Sequence, residues 1–388
     1  MNPIYLDHAA TTLIDPEVLE IMAETYKKVI GNPSSIHSFG RQARKVVDDA
    51  RDTIAKYIGA RSREIVFTGG GTEGDNMAII GSAFANRDKG KHIITTKIEH
   101  HGVFRTCEYL EKQGFDVDYL DVDRTGRISV DELKQKLRDD TILVSIMYGN
   151  NEVGTIQPIR EIAHLLADRP TLLHTDAVQS FGSIDIDVKD TPIDLLSMAG
   201  HKIGGPKGIG FLFVRDGVRL EAIAHGGDQE HKRRAGTQNV PAIAGLGLAV
   251  DLVRDHIRER IDKYLSLRRA MLDTLREARV DFHINGNSEH FLPQILNLYF
   301  PGINVETLLT KLDLEGVAVS SGSACTAGSI EPSHVLTAMF GDGAPETRSS
   351  IRISFGNGTT QEEVVRAGKI IARSVRELVN IRKAGEPG

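Results

Sequence analysis

The run Ser197-Met198-Ala199-Gly200-His201-Lys202 follows the apolar pair Leu195-Leu196 and precedes Ile203-Gly204-Gly205-Pro206, which puts an amine at the end of an expected buried strand. A lysine in such a place is costly to keep protonated and ready to attack a carbonyl carbon. Upstream, Thr171-Leu172-Leu173-His174-Thr175 reads as a short strand that delivers Asp176 to its C-terminal end, with Gln179 three residues on. A carboxylate there can pair with a protonated pyridine nitrogen, and a side-chain amide can donate to a neighbouring phenolic oxygen. The carbonyl compound that suits all three side chains is the aldehyde of pyridoxal 5'-phosphate.

Such a cofactor needs a phosphate site. The strand-like Arg63-Glu64-Ile65-Val66-Phe67-Thr68 runs into Gly69-Gly70-Gly71-Thr72-Glu73-Gly74-Asp75-Asn76, which opens a helix expected to reach about Ala85. Glycines before a helix N-terminus let backbone N–H groups point at an anion, and the helix dipole and the Thr72 hydroxyl add to the attraction. The turn is neither a Walker loop, since no Gly-Lys-Ser/Thr follows, nor a GxGxxG dinucleotide turn. Taken alone it also reads as a tight structural turn. The pair His100-His101 reads by itself as histidines at a helix start, and no further ligands recur around it at metal spacing.

These segments resemble the pyridoxal-phosphate-dependent cysteine desulfurases of the NifS/IscS class, and the likeness runs through nearly the whole chain. It is carried by Ile4-Tyr5-Leu6-Asp7-His8-Ala9-Ala10-Thr11-Thr12, Gly31-Asn32-Pro33-Ser34-Ser35, Gly71-Thr72-Glu73 and Glu99-His100-His101. It continues through Asn150-Asn151-Glu152-Val153-Gly154, the Asp176 and Lys202 runs, Arg234-Ala235-Gly236-Thr237 and Ser320-Ser321-Gly322-Ser323-Ala324-Cys325. The continuation to Glu331-Pro332-Ser333 resembles the group with an extended cysteine loop. The resemblance implies that Lys202 holds the cofactor and moves protons, that His100 stacks on its ring, and that Cys325 takes the sulfur. It implies that Gly71, Thr72 and His201 hold the phosphate, with Thr237 reaching it from a neighbouring subunit. Asn151 would lie beside the ring oxygen and the substrate. Arg352, in the strand-like Ser350-Ile351-Arg352-Ile353-Ser354, would grip the substrate carboxylate as a bidentate fork. One position departs from the family: Ala199 stands where relatives commonly carry a serine that binds the phosphate.

The remaining composition bounds these expectations. Two cysteines in 388 residues are too few for a disulfide framework, and no signal peptide precedes Tyr5-Leu6-Asp7, so a reducing cytoplasm is expected. Cys107 lies in a helical pattern and reads as a buried structural thiol, whereas the small and polar neighbours of Cys325 suit an exposed loop. No apolar run approaches the roughly 18 residues of a membrane span, and a net charge of −6 argues against general nucleic-acid affinity.

Strand-like runs at His92–Thr96, Phe115–Leu120 and Thr141–Ile146 alternate with helical patterns near 100–112 and 130–138. This predicts an α/β fold with a mostly parallel sheet and ligand sites at strand C-termini. A long helix from about Pro241 would lead to a smaller α/β C-terminal domain with strands near 294–300 and 349–355 and a last helix near 360–380. The expected division is a large cofactor-binding domain over 15–255 and a small domain formed by 1–14 with 256–388, in the fold-type I arrangement that the resemblance implies.

The resulting expectation is an enzyme that takes sulfur from L-cysteine, releases L-alanine and holds the sulfur as a persulfide on Cys325, working as a homodimer. Another fold-type I enzyme, such as an aminotransferase or selenocysteine lyase, is the alternative, and a non-catalytic sulfur-pathway scaffold is the rival of a different class. The sulfur acceptor would be an iron–sulfur scaffold or a tRNA-thiolating enzyme. The chain stops at Gly388, soon after the last expected helix, which favours the tRNA-thiolating acceptor.

Overall fold

The computed structural model describes residues 3–321 and 332–385, with side chains to residue 381. Cys325 lies outside the described residues. The larger sheet has seven strands among the described residues, in the spatial order Ile65–Thr68, Gly210–Val214, Leu195–Ala199, Leu172–Asp176, Thr141–Ser145, His92–Thr96, Asp116–Leu120. Every pairing from Leu195–Ala199 outward to Asp116–Leu120 is parallel, and only Gly210–Val214 pairs antiparallel, with a neighbour on each side. The mostly parallel α/β fold expected from the alternating pattern is therefore observed. Its inner strands are buried on both faces because helices cover both, whereas the edge strand Asp116–Leu120 is partly exposed and carries two aspartates.

The strands of the cofactor reading stand side by side. Leu172–Asp176 and Leu195–Ala199 run parallel in a register that sets Asp176 opposite Ser197. Their C-terminal ends thus open at the same edge of the sheet. The chain beyond Ala199 turns at once through a short 3-10 turn, Gly200–Lys202.

A second, antiparallel sheet places Ile295–Tyr299 between His283–Asn285 and Ser350–Ser354. The helices Val305–Leu314 and Gln361–Gly385 accompany it, and its own apolar core includes Leu296, Leu298, Phe300, Leu308 and Ile371. Ile4 and Leu6 belong to that core, and Ile4–Tyr5 pairs in parallel with Val317–Ala318. The two cores are joined by one helix, Val240–Glu277, whose first turn carries Pro241 and whose cap Asn239 accepts a hydrogen bond from the Ala242 N–H. The helix breaks at His256, where φ is −126°. Residues up to Val253 pack in the first core and those from Tyr264 onward in the second.

Two helices, Pro16–Lys28 and Ser38–Tyr57, precede the first strand of the large sheet and lie outside the sequence reading. The buried face of the second includes Gly40, Ala43 and Ala50, small residues that give little apolar signal but admit close approach. A Cβ on Gly247 of the joining helix would sit 2.8 Å from the Ala50 Cβ.

Near this contact a buried ion pair pins a strained turn. Arg51 donates from both terminal nitrogens to Glu230, at 2.8 Å each, and Glu230 also accepts from the Phe67 N–H and the Gln238 amide. Glu230, His231 and Lys232 all have positive φ, a conformation that costs non-glycine residues energy and persists only where surroundings enforce it. Burial pushes the Glu230 carboxyl up, but the Arg51 pair and these donors outweigh it and hold it below the ordinary glutamate range. Its contribution is fully present above the unfolded value of about 4.3 and is lost as pH falls through the lowered folded value. Glu230→Ala strands a buried guanidinium and should cost about 3 to 5 kcal/mol in urea unfolding at neutral pH. A loss below about 1 kcal/mol, the range of an exposed pair, would contradict this account.

Candidate active site

A cavity of about 390 Å³ opens at the C-terminal ends of the parallel strands. Gly71, Thr72, His100, Asn151, Asp176, Gln179, His201, Lys202 and Arg352 all line it. Thr237, on an exposed stretch before the joining helix, does not. Its neighbour Arg234 pairs with Glu73 at 2.7 Å, which ties that stretch to the start of the glycine-turn helix.

The glycine turn is shaped by close approach. Gly71 begins the helix Gly71–Asn86, and a Cβ there would fall 2.6 Å from Val178 Cγ2, two residues past Asp176. Only a glycine lets the helix N-terminus approach the strand end so closely, which aims its free N–H groups at this edge. His201 and Lys207 flank the same turn in an adjoining cleft. His201 Nδ1 lies 3.1 Å from the Thr11 hydroxyl. Burial, helped by Lys202 and Lys207, lowers the His201 imidazole to about 4, so it is neutral near pH 7.

The Lys202 amine donates to the carbonyls of Ala9 and Ala10, the latter at 2.9 Å. The Gln179 side chain donates to the same Ala9 carbonyl at 2.8 Å. Residues 11–15 continue along the lysine turn: Thr12 bonds the His201 carbonyl through both N–H and hydroxyl, and the Asp15 N–H donates to the Gly204 carbonyl. The N-terminal segment thus belongs to the small core by Ile4 and Leu6 and touches the lysine turn by Ala9 to Asp15.

His100 caps the helix His101–Lys112, and its Nδ1 accepts from the Gly102 N–H at 3.0 Å. In the neutral ring the proton is therefore on Nε2. Asp176 accepts from the Val178 N–H at 2.8 Å. Burial raises its carboxyl, opposed by the charges of His100 and Lys202 and by that N–H. Arg352, only 3 % exposed, donates to the Asn151 carbonyl at 2.9 Å and to Asp7 at 2.8 Å, while its Nε has no partner among the described residues.

These groups fit the cofactor that the sequence points to. A nitrogen cation has Asp176 to face, an anion has the glycine turn, and the Lys202 amine lines the same cavity. The orphaned, buried Arg352 Nε is a donor in want of an acceptor such as a substrate carboxylate.

Residues 4–366 match the aminotransferase class-V family. The chain belongs to that family. It is 59% identical over 378 residues to the putative cysteine desulfurase IscS 1 of Bacillus subtilis strain 168, covering 97% of this chain and all of the relative. A solved NifS-like protein superposes with a TM-score of 0.90 at 37% identity, covering 97% of this chain and 100% of the other. The solved structure of SspA in complex with cysteine gives a TM-score of 0.80 at 38% identity, covering 91% and 98%. The resemblance to the NifS/IscS class and the fold-type I arrangement hold, and enzymes of this kind depend on pyridoxal phosphate.

Asp75, Asp7, His334 and Lys207 also surround the site and were not picked out by sequence reasoning. Asp75 had a signal: it lies four residues after Gly71 and so on the same helix face. His334 had none, because the fold alone brings its ring within 4.9 Å of His101. Cys107 is fully buried, as expected, and burial pushes its thiol far up, which leaves it inert.

Ala199 ends its strand at 2 % exposure and points toward the glycine turn, its Cβ 3.7 Å from where a Gly71 Cβ would be. A hydroxyl there could reach an anion held by that turn. Ala199→Ser should slow cofactor dissociation by roughly ten- to a hundredfold, the worth of one hydrogen bond to a charged acceptor. The check is cofactor loss on dilution of both proteins, and unchanged or faster loss would mean that the phosphate already has all the donors it can use.

Proposed function

We propose that this chain is a cysteine desulfurase that takes sulfur from L-cysteine onto Cys325 and releases L-alanine. The observation that carries the reading is the convergence on one cavity of Lys202, Asp176, His100 and Arg352 with His334 from beyond the cysteine segment. Ser320 pairs with Arg352 through two backbone hydrogen bonds, and on the far side Ser333 donates to the buried Glu152 while His334 lines the cavity. Cys325 is four residues beyond Ser321, a contour on the order of 14 Å.

Pyridoxal phosphate, when bound, supplies the electron sink that lets the substrate lose its Cα proton. Lys202 would hold the cofactor's aldehyde carbon and, once displaced by substrate, carry the proton from Cα. Asp176 would keep the ring nitrogen protonated, and Gln179 and Asn151 would hold the ring oxygen. Gly71, Thr72 and His201 would take the phosphate, with Thr237 of a second copy. His100, its Nδ1 engaged by the Gly102 N–H, would stack on the ring and assist proton transfer. Arg352, steadied by Asp7 and the Asn151 carbonyl, still has N–H groups for the substrate carboxylate. The Cys325 thiolate attacks the substrate sulfur: the S–S bond forms as the C–S bond breaks, and the carbon keeps the electron pair and takes up a proton on the way to alanine. Cysteine and enzyme thiol thus become alanine and enzyme persulfide with no outside oxidant.

The two cores support a division into domains 15–255 and 1–14 with 256–388. Exposed apolar side chains on and between the first two helices, among them Tyr26, Ile30, Ile36 and Phe39, support a homodimer. A cytoplasmic enzyme delivering to an iron–sulfur scaffold or a tRNA-thiolating protein completes the proposal. No helix among the described residues is long and apolar enough to cross a membrane.

Lys202→Ala should fold yet lose the visible band of the lysine-bound cofactor and all turnover. Cys325→Ala should keep that band and release almost no sulfur, and Cys107→Ala should keep both. Sulfide and alanine from cysteine without any 2-oxo acid separates this activity from transamination, and sulfur release surviving in Cys325→Ala would overturn the carrier assignment. For assembly, sedimentation should give a dimer at assay concentration, and an active monomer would exclude a shared site.

A further inference from the structure

Asp75 projects from the first turns of the Gly71–Asn86 helix into the floor of the cavity. It is 1 % exposed, and neither carboxyl oxygen has a hydrogen-bond partner among the described residues. One ligand atom from each of Asp75, His100 and Asp176 lies within 4.8 Å of the others. Two carboxylates that close in a buried site cannot both be ionised without a cation between them.

The surroundings decide which of the two holds the proton. Asp176 has the Val178 N–H on one oxygen, and the charges of His100 and Lys202 favour its ionised form. Asp75 receives no backbone N–H, and although a His100 nitrogen also lies within 4.8 Å of it, burial and the Asp176 charge dominate there. The nearest basic group behind it is His174, whose Nε2 is 3.7 Å from Asp75 Oδ1. Both His174 nitrogens are taken by hydroxyls, Ser145 at 2.8 Å and Ser197 at 3.0 Å, and burial lowers this imidazole to about 3, so it brings no charge. Ser197 softens the charge on Asp75 without a hydrogen bond of ordinary geometry, and Glu99, itself pushed up to about 8 by burial, adds no cation. Burial and the Asp176 charge both raise the Asp75 carboxyl well above the usual range.

We propose that Asp75 is a positioning residue for the cofactor: it holds the single proton of an Asp75–Asp176 carboxyl pair and donates it to Asp176, so that Asp176 faces the ring nitrogen as the ionised, oriented member. This rests on the reading of Asp176 given above. The Val178 N–H and the Asp75 O–H then fix the Asp176 carboxylate from two directions, and its charge remains for the ring. The pair carries one negative charge in total, which a single ring cation neutralises.

The test has a readout that needs no cofactor. In infrared difference spectra of the cofactor-free protein at neutral pH, Asp75→Asn should remove one protonated-acid carbonyl band while that of Glu99, also pushed up by burial, remains; an unchanged acid-carbonyl region would overturn the proposal. Carbon-13 labelling of aspartate in the unsubstituted protein should shift an acid-carbonyl band, so the measurement survives failure of the variant to fold, and absence of any aspartic-acid band overturns it equally. In the loaded protein Asp75→Ala should raise the cofactor dissociation constant by about tenfold, and Asp75→Asn, a neutral donor of the same shape, should restore it. An Asp75→Asn protein as weak as Asp75→Ala would mean that Asp75 acts as a charge. Uptake of cofactor undiminished in Asp176→Ala would overturn the reading of Asp176 while leaving the infrared band to report on Asp75 separately.

Discussion

The site depends on one backbone pairing, the parallel register that sets Asp176 opposite Ser197. Because strand side chains alternate in direction, a slip of one residue would turn Asp176 away from the cavity, and His174 would lose its contact with Ser197. The register is held by burial on both faces, since every residue of Leu195–Ala199 and all but Leu172 of its neighbour are fully covered. Slippage is therefore opposed by the whole first core. The remaining site groups are fastened to this pair by short links: the 3-10 turn carries Lys202, Val178 packs against Gly71, and Ala9 receives bonds from both Gln179 and Lys202.

Much of this was legible in the chain because the chemistry sits where strands stop. Leu195-Leu196 followed by Gly200-His201-Lys202, and Leu172-Leu173 followed by Asp176, each join an apolar run to a polar group with little between. Their strands and the helix after Gly69-Gly70-Gly71 appear where the pattern puts them, within a residue or two. What could not be read is the contact between elements distant in sequence. Arg352 meets Asp7 because the N-terminal residues are laid against the second sheet, and His334 meets His101 because the helix it begins packs on Ile98 and Met147 of the large unit. The helix Ser38–Tyr57 escaped for a local reason, a buried face in which Gly40 and three alanines outnumber Val47 and Ile54, and Asp75 escaped because a carboxylate early in a helix gives no sign of its burial.

A buried acidic floor is an expensive thing to fold around. Asp75, Asp176 and Glu99 all lie at or below 6 % exposure, and only Asp176 and Glu99 receive backbone N–H donors. Burial raises all three carboxyls, the direction that keeps such a region near neutral, while the charges of His100 and Lys202 favour ionised Asp176. The hydroxyls of Ser145 and Ser197 around His174 extend the same economy of charge beneath the floor.

The hold of Ala9 and Ala10 on the Lys202 amine has a thermodynamic corollary. These carbonyls are a tethered competitor, present at fixed stoichiometry and high effective concentration, for the nitrogen that the cofactor must claim. Any affinity measured for cofactor is thus a difference between two sets of contacts, and it understates the strength of the ones finally made. The exchange costs the segment only the Lys202 bonds, since Gln179, Ser354 and the His201 carbonyl still hold Ala9 and Thr12.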